Sequence, residues 1–202
     1  MLRSFAFGLS ALVLATSAYA QAPASPPIVR GKVTALAADG MTVQPDKGPA
    51  VKVALAPNWT VAVMKPVAID AIQPGSFIGT TNMPQGEGKG SALEVHVFPP
   101  GVKMGEGHYG WDLQPGSMMT NGTVGKVVAG KKGSRELDVA YNGTGMRHIV
   151  VPASVPVVQI TGGARDLVKT GTPVFMVVRK NPDGSMITNS VSVGENGAKP
   201  PM

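Results

Sequence analysis

His96, Met104, His108, Trp111, Met118 and Met119 fall in one short stretch, and they are the residue types that hold soft metal ions. Imidazole suits Cu(II) and zinc, thioether suits Cu(I), and the face of an indole attracts a cation. Cysteine is absent. A Cu(I) or Ag(I) site would therefore have to be held by histidine and methionine, with His96, His108, Met118 and Met119 as the candidates. The same residues have a plainer use. Methionine fills irregular gaps in cores and interfaces. Trp111 and Tyr109 can wedge between two packed units, with Leu113 beside them, and His108 can cap a turn. Asp112 can orient His108 or cap a turn over 113–116. His96 alternates with Val95 and Val97, so it points away from the core those valines build and sits beside Glu94. His148 follows Arg147 at a strand start and reads as a solvated edge position.

Other chemistry is poorly supplied. There are no paired carboxylates, no thiol and no serine in a nucleophile elbow, so the chain reads as non-enzymatic. Gly86-Glu-Gly-Lys-Gly-Ser91 lacks the Gly-Lys-Ser/Thr order of a phosphate loop and reads as a hairpin tip. Net charge is +6, but basic residues cluster only at Lys131-Lys132 and Arg179-Lys180, and aromatics make up 5%. A nucleic-acid surface would need a basic stripe interleaved with aromatics.

The elements that must position these residues have a period of two. Val51-Lys-Val53-Ala-Leu55, Trp59-Thr-Val61-Ala-Val63, Leu93-Glu-Val95-His-Val97 and Leu137-Asp-Val139-Ala-Tyr141 alternate as strands do. Asp39-Gly40, Asn142-Gly143 and Asp183-Gly184 supply the turns between them. The order repeats. Gly31-Lys-Val33 matches Gly125-Lys-Val127, while Val53, Leu55 and Val61 fall on Ile149, Val151 and Val157. Likewise Ile78 falls on Val174, and Ser192 takes the place of His96.

The expected fold is therefore all-β, as two tandem small OB-like antiparallel barrels. A first module spans 29–98 and a second 122–194, with a connecting segment over 99–121. Val33, Val53, Leu55, Val61, Ile78, Val95 and Val97 should line the first core. Val127, Ile149, Val151, Val157, Val174 and Val191 should line the second. Outside the modules, 1–20 reads as an export signal cleaved after Ala20, 21–28 as a disordered linker and 195–202 as a similar tail. No apolar run is long enough for a membrane helix in the mature chain, so a periplasmic location is expected.

The loop-and-strand pattern Gly-x-Val, Asp-Gly-x-Thr-Val, Ile-x-Pro-Gly-Ser-Phe and Gly-Ser-Ala-Leu-x-Val resembles the DUF5666-type β-barrel repeat of exported bacterial proteins. The tract Gly105-x-Gly-His108-x-x-Trp111-Asp-Leu through Met119-Thr-Asn121-x-Thr-Val124 is similar to one shared by a group of exported bacterial proteins. The resemblance implies a barrel fold and a periplasmic home, and no activity. Two readings remain open. One is a binding protein for an envelope protein or small ligand, acting at a barrel edge or in a groove around Tyr109, Trp111, Asp112 and Leu113. The other is a copper or silver carrier.

Overall fold

The computed structural model describes residues 25–202. The export signal expected over 1–20, and the linker as far as residue 24, lie outside the described residues. Ile28, expected in the linker, already belongs to the first strand. Valine, isoleucine and threonine on alternating positions produce thirteen strands among the described residues. They are β1 (Ile28–Leu36), β2 (Gly40–Gln44), β3 (Val51–Pro66), β4 (Phe77–Pro84), β5 (Lys89–Val97), β6 (Gly107–Gly110) and β7 (Met118–Ala129). The chain continues with β8 (Arg135–Tyr141), β9 (Gly145–Val151), β10 (Val157–Gly163), β11 (Pro173–Val177), β12 (Arg179–Lys180) and β13 (Met186–Gly194). Helical structure among the described residues is limited to short 3₁₀ turns, and no helix is long and apolar enough to cross a membrane.

The all-β barrel fold is as the sequence indicates. Two closed circuits of five strands can be traced. One runs β1–β2–β3–β13–β11 and back to β1, with β3 and β13 parallel and the other pairs antiparallel. The other runs β7–β8–β9–β5–β4 and back to β7, again with one parallel pair, β5 with β9. Each circuit has the strand order of an OB barrel.

The modules do not close on themselves. Strands one to three of the first repeat close with strands four and five of the second, and the reverse holds for the other barrel. Hence Val33, Val53, Leu55 and Val61 share a core with Val174 and Val191. Ile78, Val95 and Val97 pack instead with Ile149, Val151, Val157 and the partly buried Val127. The burial pattern in the sequence is right, and the grouping into two sequential cores is corrected.

The reason lies in β3, which is 16 residues long. At roughly 3.3 Å per residue it outruns a single barrel wall. No turn dipeptide lies between Trp59 and Pro66 to fold it back, so the chain is delivered to the other barrel, where Ile72 is buried in the core. The second repeat makes the same crossing through β10, and Val168 enters the first barrel's core. The two crossing strands pair antiparallel, with Met64 directly opposite Ile160. These two residues stand 96 apart, as do Val61 and Val157, or Ile78 and Val174. The pairing of equivalent residues marks a pseudo-twofold axis at Met64–Ile160. β10 also pairs parallel with β5, so one sheet runs through both barrels.

Two further boundaries move. The segment 99–121 is not only a connector, because Met118–Asn121 opens β7 and pairs with β4 on one side and β6 on the other. The tail 195–202 docks back onto the barrels, with Pro200 and Met202 buried.

Candidate functional site

Sheet parity sorts the residues around β7. Thr120 and Val124 lie on the side facing the second barrel's interior, while Met119 and Asn121 lie on its outer face. In β6, His108 stands opposite Thr120 and Tyr109 opposite Met119. The neighbours His108 and Tyr109 therefore serve opposite faces of the same wall.

On the outer face, Trp111 fills the seam between the barrels. It packs with Met119 of β7, Phe175 of β11, Met64 of β3, Val158 of β10 and Met202, with Tyr109, Leu113 and Ile28 alongside. Its ring centroid is 6.1 Å from Tyr109, near edge-to-face, and 6.2 Å from Phe175. Burial raises the Tyr109 hydroxyl above its ordinary pKa, and that hydroxyl accepts from Asn121 Nδ2 at 2.8 Å. The loop after Trp111 is closed by Ser117, whose Oγ accepts from the Gln114 N–H at 3.1 Å. Asp112, expected as that cap or as a partner of His108, does neither. It accepts both arms of Arg30, at 2.8 and 2.7 Å. Arg30 also lies 5.4 Å over the Phe175 ring and donates through Nε to the Met202 carbonyl at 2.7 Å. One guanidinium thus joins β1, the Trp111 loop and the tail. Beside it opens a cleft of about 720 Å³ walled by Ile28, Arg30, Asp112, Leu113 and the 199–202 segment.

Inside the second barrel a hydrogen-bonded row crosses the wall. Asn82 Nδ2 donates to Thr120 Oγ1 at 3.0 Å, Thr120 Oγ1 meets His108 Nδ1 at 2.8 Å, and His108 Nε2 meets Arg147 Nη2 at 2.6 Å. Arginine can only donate, so Nε2 accepts and the ring proton sits on Nδ1, directed at Thr120. Burial, and then the adjacent Arg147 charge, lower the His108 pKa to about 4. His108 is therefore neutral at pH 7 and does not cap a turn. Its free lone pair is already engaged by a cation.

His96 is elsewhere, on the outer face as its alternation indicates. Its Nδ1 lies 3.0 Å from Glu94 Oε2, and Glu94 Oε1 accepts from the N–H and hydroxyl of Thr81 at 2.7 and 2.8 Å. Glu94 is fully buried. Gly79 makes room for this arrangement, because a Cβ there would run into His96 Nε2 and Asn121 Oδ1. His148 is not on an edge, since β9 is paired on both sides; its Nδ1 bonds Asp138 at 2.9 Å.

The four residues proposed as metal ligands thus do not converge. His108 faces the interior, His96 is bonded to Glu94 outside, and Met118 and Met119 alternate along one strand. Tyr109, Trp111 and Leu113 do come together, and Asp112 lies beside them in the ion pair with Arg30. Sequence reasoning missed Arg30, Phe175, Met202, Asn82 and Arg147. The last carried a signal: Arg147 stands two residues before core Ile149, on apolar parity. No family model, curated protein or solved structure matches the chain.

Proposed function

We propose that this is a non-enzymatic binding protein of the bacterial periplasm, whose partner, an envelope protein or a small ligand, docks in the cleft beside Trp111. One observation carries the reading. The cleft of about 720 Å³ combines apolar walls, Ile28 and Leu113, with an oriented charged pair, Arg30 and Asp112. Concave sites with a few fixed polar groups on apolar walls are the usual form of a binding site. Periplasmic location is supported by the residue pattern of 1–20. The test is retention of envelope components on immobilised protein, comparing wild type with Leu113→Asp and Arg30→Ala. Retention lost in both variants, with their melting transitions kept, supports the cleft. Equal retention by all three proteins removes it.

A second reading, carriage of Cu(I) or Ag(I), is favoured by a different set of residues from the one expected. Met64, Met119 and Met202 all pack in the Trp111 cluster, and thioethers are ligands for soft cations. A saturable rise in melting temperature with Ag(I), lost in Met64→Leu and Met119→Leu, would place the metal there.

A further inference from the structure

The tail that fills the seam is built unlike any strand of the barrels. Residues 198–202 read Ala-Lys-Pro-Pro-Met. Pro200 and Pro201 have no backbone N–H to donate. Among the described residues, no backbone N–H from 199 to 202 donates a main-chain hydrogen bond. The segment is held instead by three side-chain contacts. Met202 is buried between Trp111, Phe175, Met64 and Met119. Its carbonyl accepts from Arg30 Nε at 2.7 Å. Lys199 pairs with Asp46, a contact that also holds the Asp46 carboxyl below its usual pKa. Pro200 is buried and, with Pro201, forms one wall of the cleft.

This is how an extended peptide is recognised: a preformed backbone, an apolar anchor in a pocket, one carbonyl read by an arginine and one flanking charge matched. We propose that the seam is a recognition site for an extended Lys-Pro-Pro-Met-like segment of a partner protein, and that residues 198–202 are its resident, displaceable occupant. The inference rests on the cleft reading above and names the class of partner: the incoming segment takes the place of residues 199–202, which wall the cleft, and lies against its remaining walls, Ile28, Arg30 and Leu113. Asp46, the carboxylate that pairs with Lys199, selects for a basic residue ahead of the prolines, while Asp112 is held by Arg30. The hinge for release is the turn 195–197, where Asn196 and Gly197 take positive φ of 54° and 78°. A resident segment lowers the apparent affinity for an incoming one in proportion to its occupancy.

The test uses the full mature chain and a fluorescent Gly-Ala-Lys-Pro-Pro-Met peptide. Met202→Ala empties the anchor pocket without touching a barrel strand. It should bind the peptide at least ~10-fold more tightly than wild type, because the competing occupant is weakened. Arg30→Ala in the Met202→Ala background should lose that binding, and a Gly-Ala-Glu-Pro-Pro-Asp peptide should not bind. Equal affinity for wild type and Met202→Ala, or no saturable binding to a folded Met202→Ala, overturns the proposal. If the peptide fails while Leu113→Asp still abolishes retention of envelope components, the partner class falls and the cleft reading stands. If both fail, the cleft reading falls with it.

Discussion

The two barrels share one strand order, yet they fill equivalent positions differently. Residues 96 apart occupy the same place in each, as Ile78 and Val174 or Val95 and Val191 do within the two cores. By that spacing, Asn82 of the second barrel corresponds to Val178 of the first, and Arg147 to Val51. Both valines lie in or against the first barrel's apolar core. Glu94 and His96 correspond to Ser190 and Ser192, and Gly79 to Phe175. The first barrel shows that the fold closes without any of the polar groups. In the second barrel Asn82 and Arg147 flank the Thr120–His108 pair that holds β6 on the inside, and Asn121 holds Tyr109 on the outside. Phe175 and Gly79 complete the asymmetry: the large residue meets Trp111, and the absent side chain lets His96 lie across the strand.

The largest test of this contrast compares Glu94 with its counterpart. Glu94→Ala strands the N–H and hydroxyl of Thr81 and the ring of His96 in a buried site. Each buried polar group left without its partner costs roughly 1–3 kcal/mol, and here several are left at once. Ser190→Ala, at the equivalent place, should change stability by less than about 0.5 kcal/mol, because no structural hydrogen bond of its hydroxyl is lost. Urea denaturation of both variants measures the difference. Similar losses at the two sites would mean that the outer face of the second barrel is not specialised.

The exchange of strands makes a second prediction. Leu137 is completely buried in the second barrel, and Leu137→Ala should cost about 2–5 kcal/mol. Trp59 lies in the first barrel's core and Trp111 in the seam. Because each barrel is closed by strands from both halves, fluorescence of single-tryptophan versions should report the same lowered midpoint at both places. A midpoint at Trp59 that stays at the wild-type value would show that the barrels unfold separately.

How much of this was legible follows from what each signal reports. Alternation reports which side of a strand is buried. Val53, Leu55, Ile149 and Val151 were therefore identifiable as core from their spacing, and His96 as outward-facing. Alternation does not say which barrel a strand joins. Ile78 packs with Ile149 rather than Val53 because of where a 16-residue strand sends the chain, and that information is spread over the absence of turns. The seam was partly visible, since a Trp and Tyr between two barrel patterns have few other uses. Its second half was hidden: Arg30 and Phe175 are opposite each other on β1 and β11, strands far apart in the chain. Met202 belongs to a segment whose composition reads as a tail.

The smallest expected effect concerns pH, and it isolates the interior row. His108 titrates near pH 4 in the folded protein instead of its ordinary 6.5. Between those values the unfolded chain binds a proton that the folded one does not, so stability rises with pH across this window. The contribution is fully present above pH 6.5, is lost as pH falls, and changes no further below about 4. The ring is only half-buried, and screening reduces the effect to about 1–2 kcal/mol. Other groups titrate in the same range, so the measurement is the difference between wild type and His108→Gln in urea midpoint from pH 7 to pH 4. Wild type should lose more stability than the variant. Arg147→Val, which installs the first barrel's residue, should reduce that excess by removing the neighbouring charge, though not the burial. If wild type and His108→Gln lose stability in parallel, neither burial nor the Arg147 contact holds the ring neutral, and the interior of the second barrel differs from the first in composition alone.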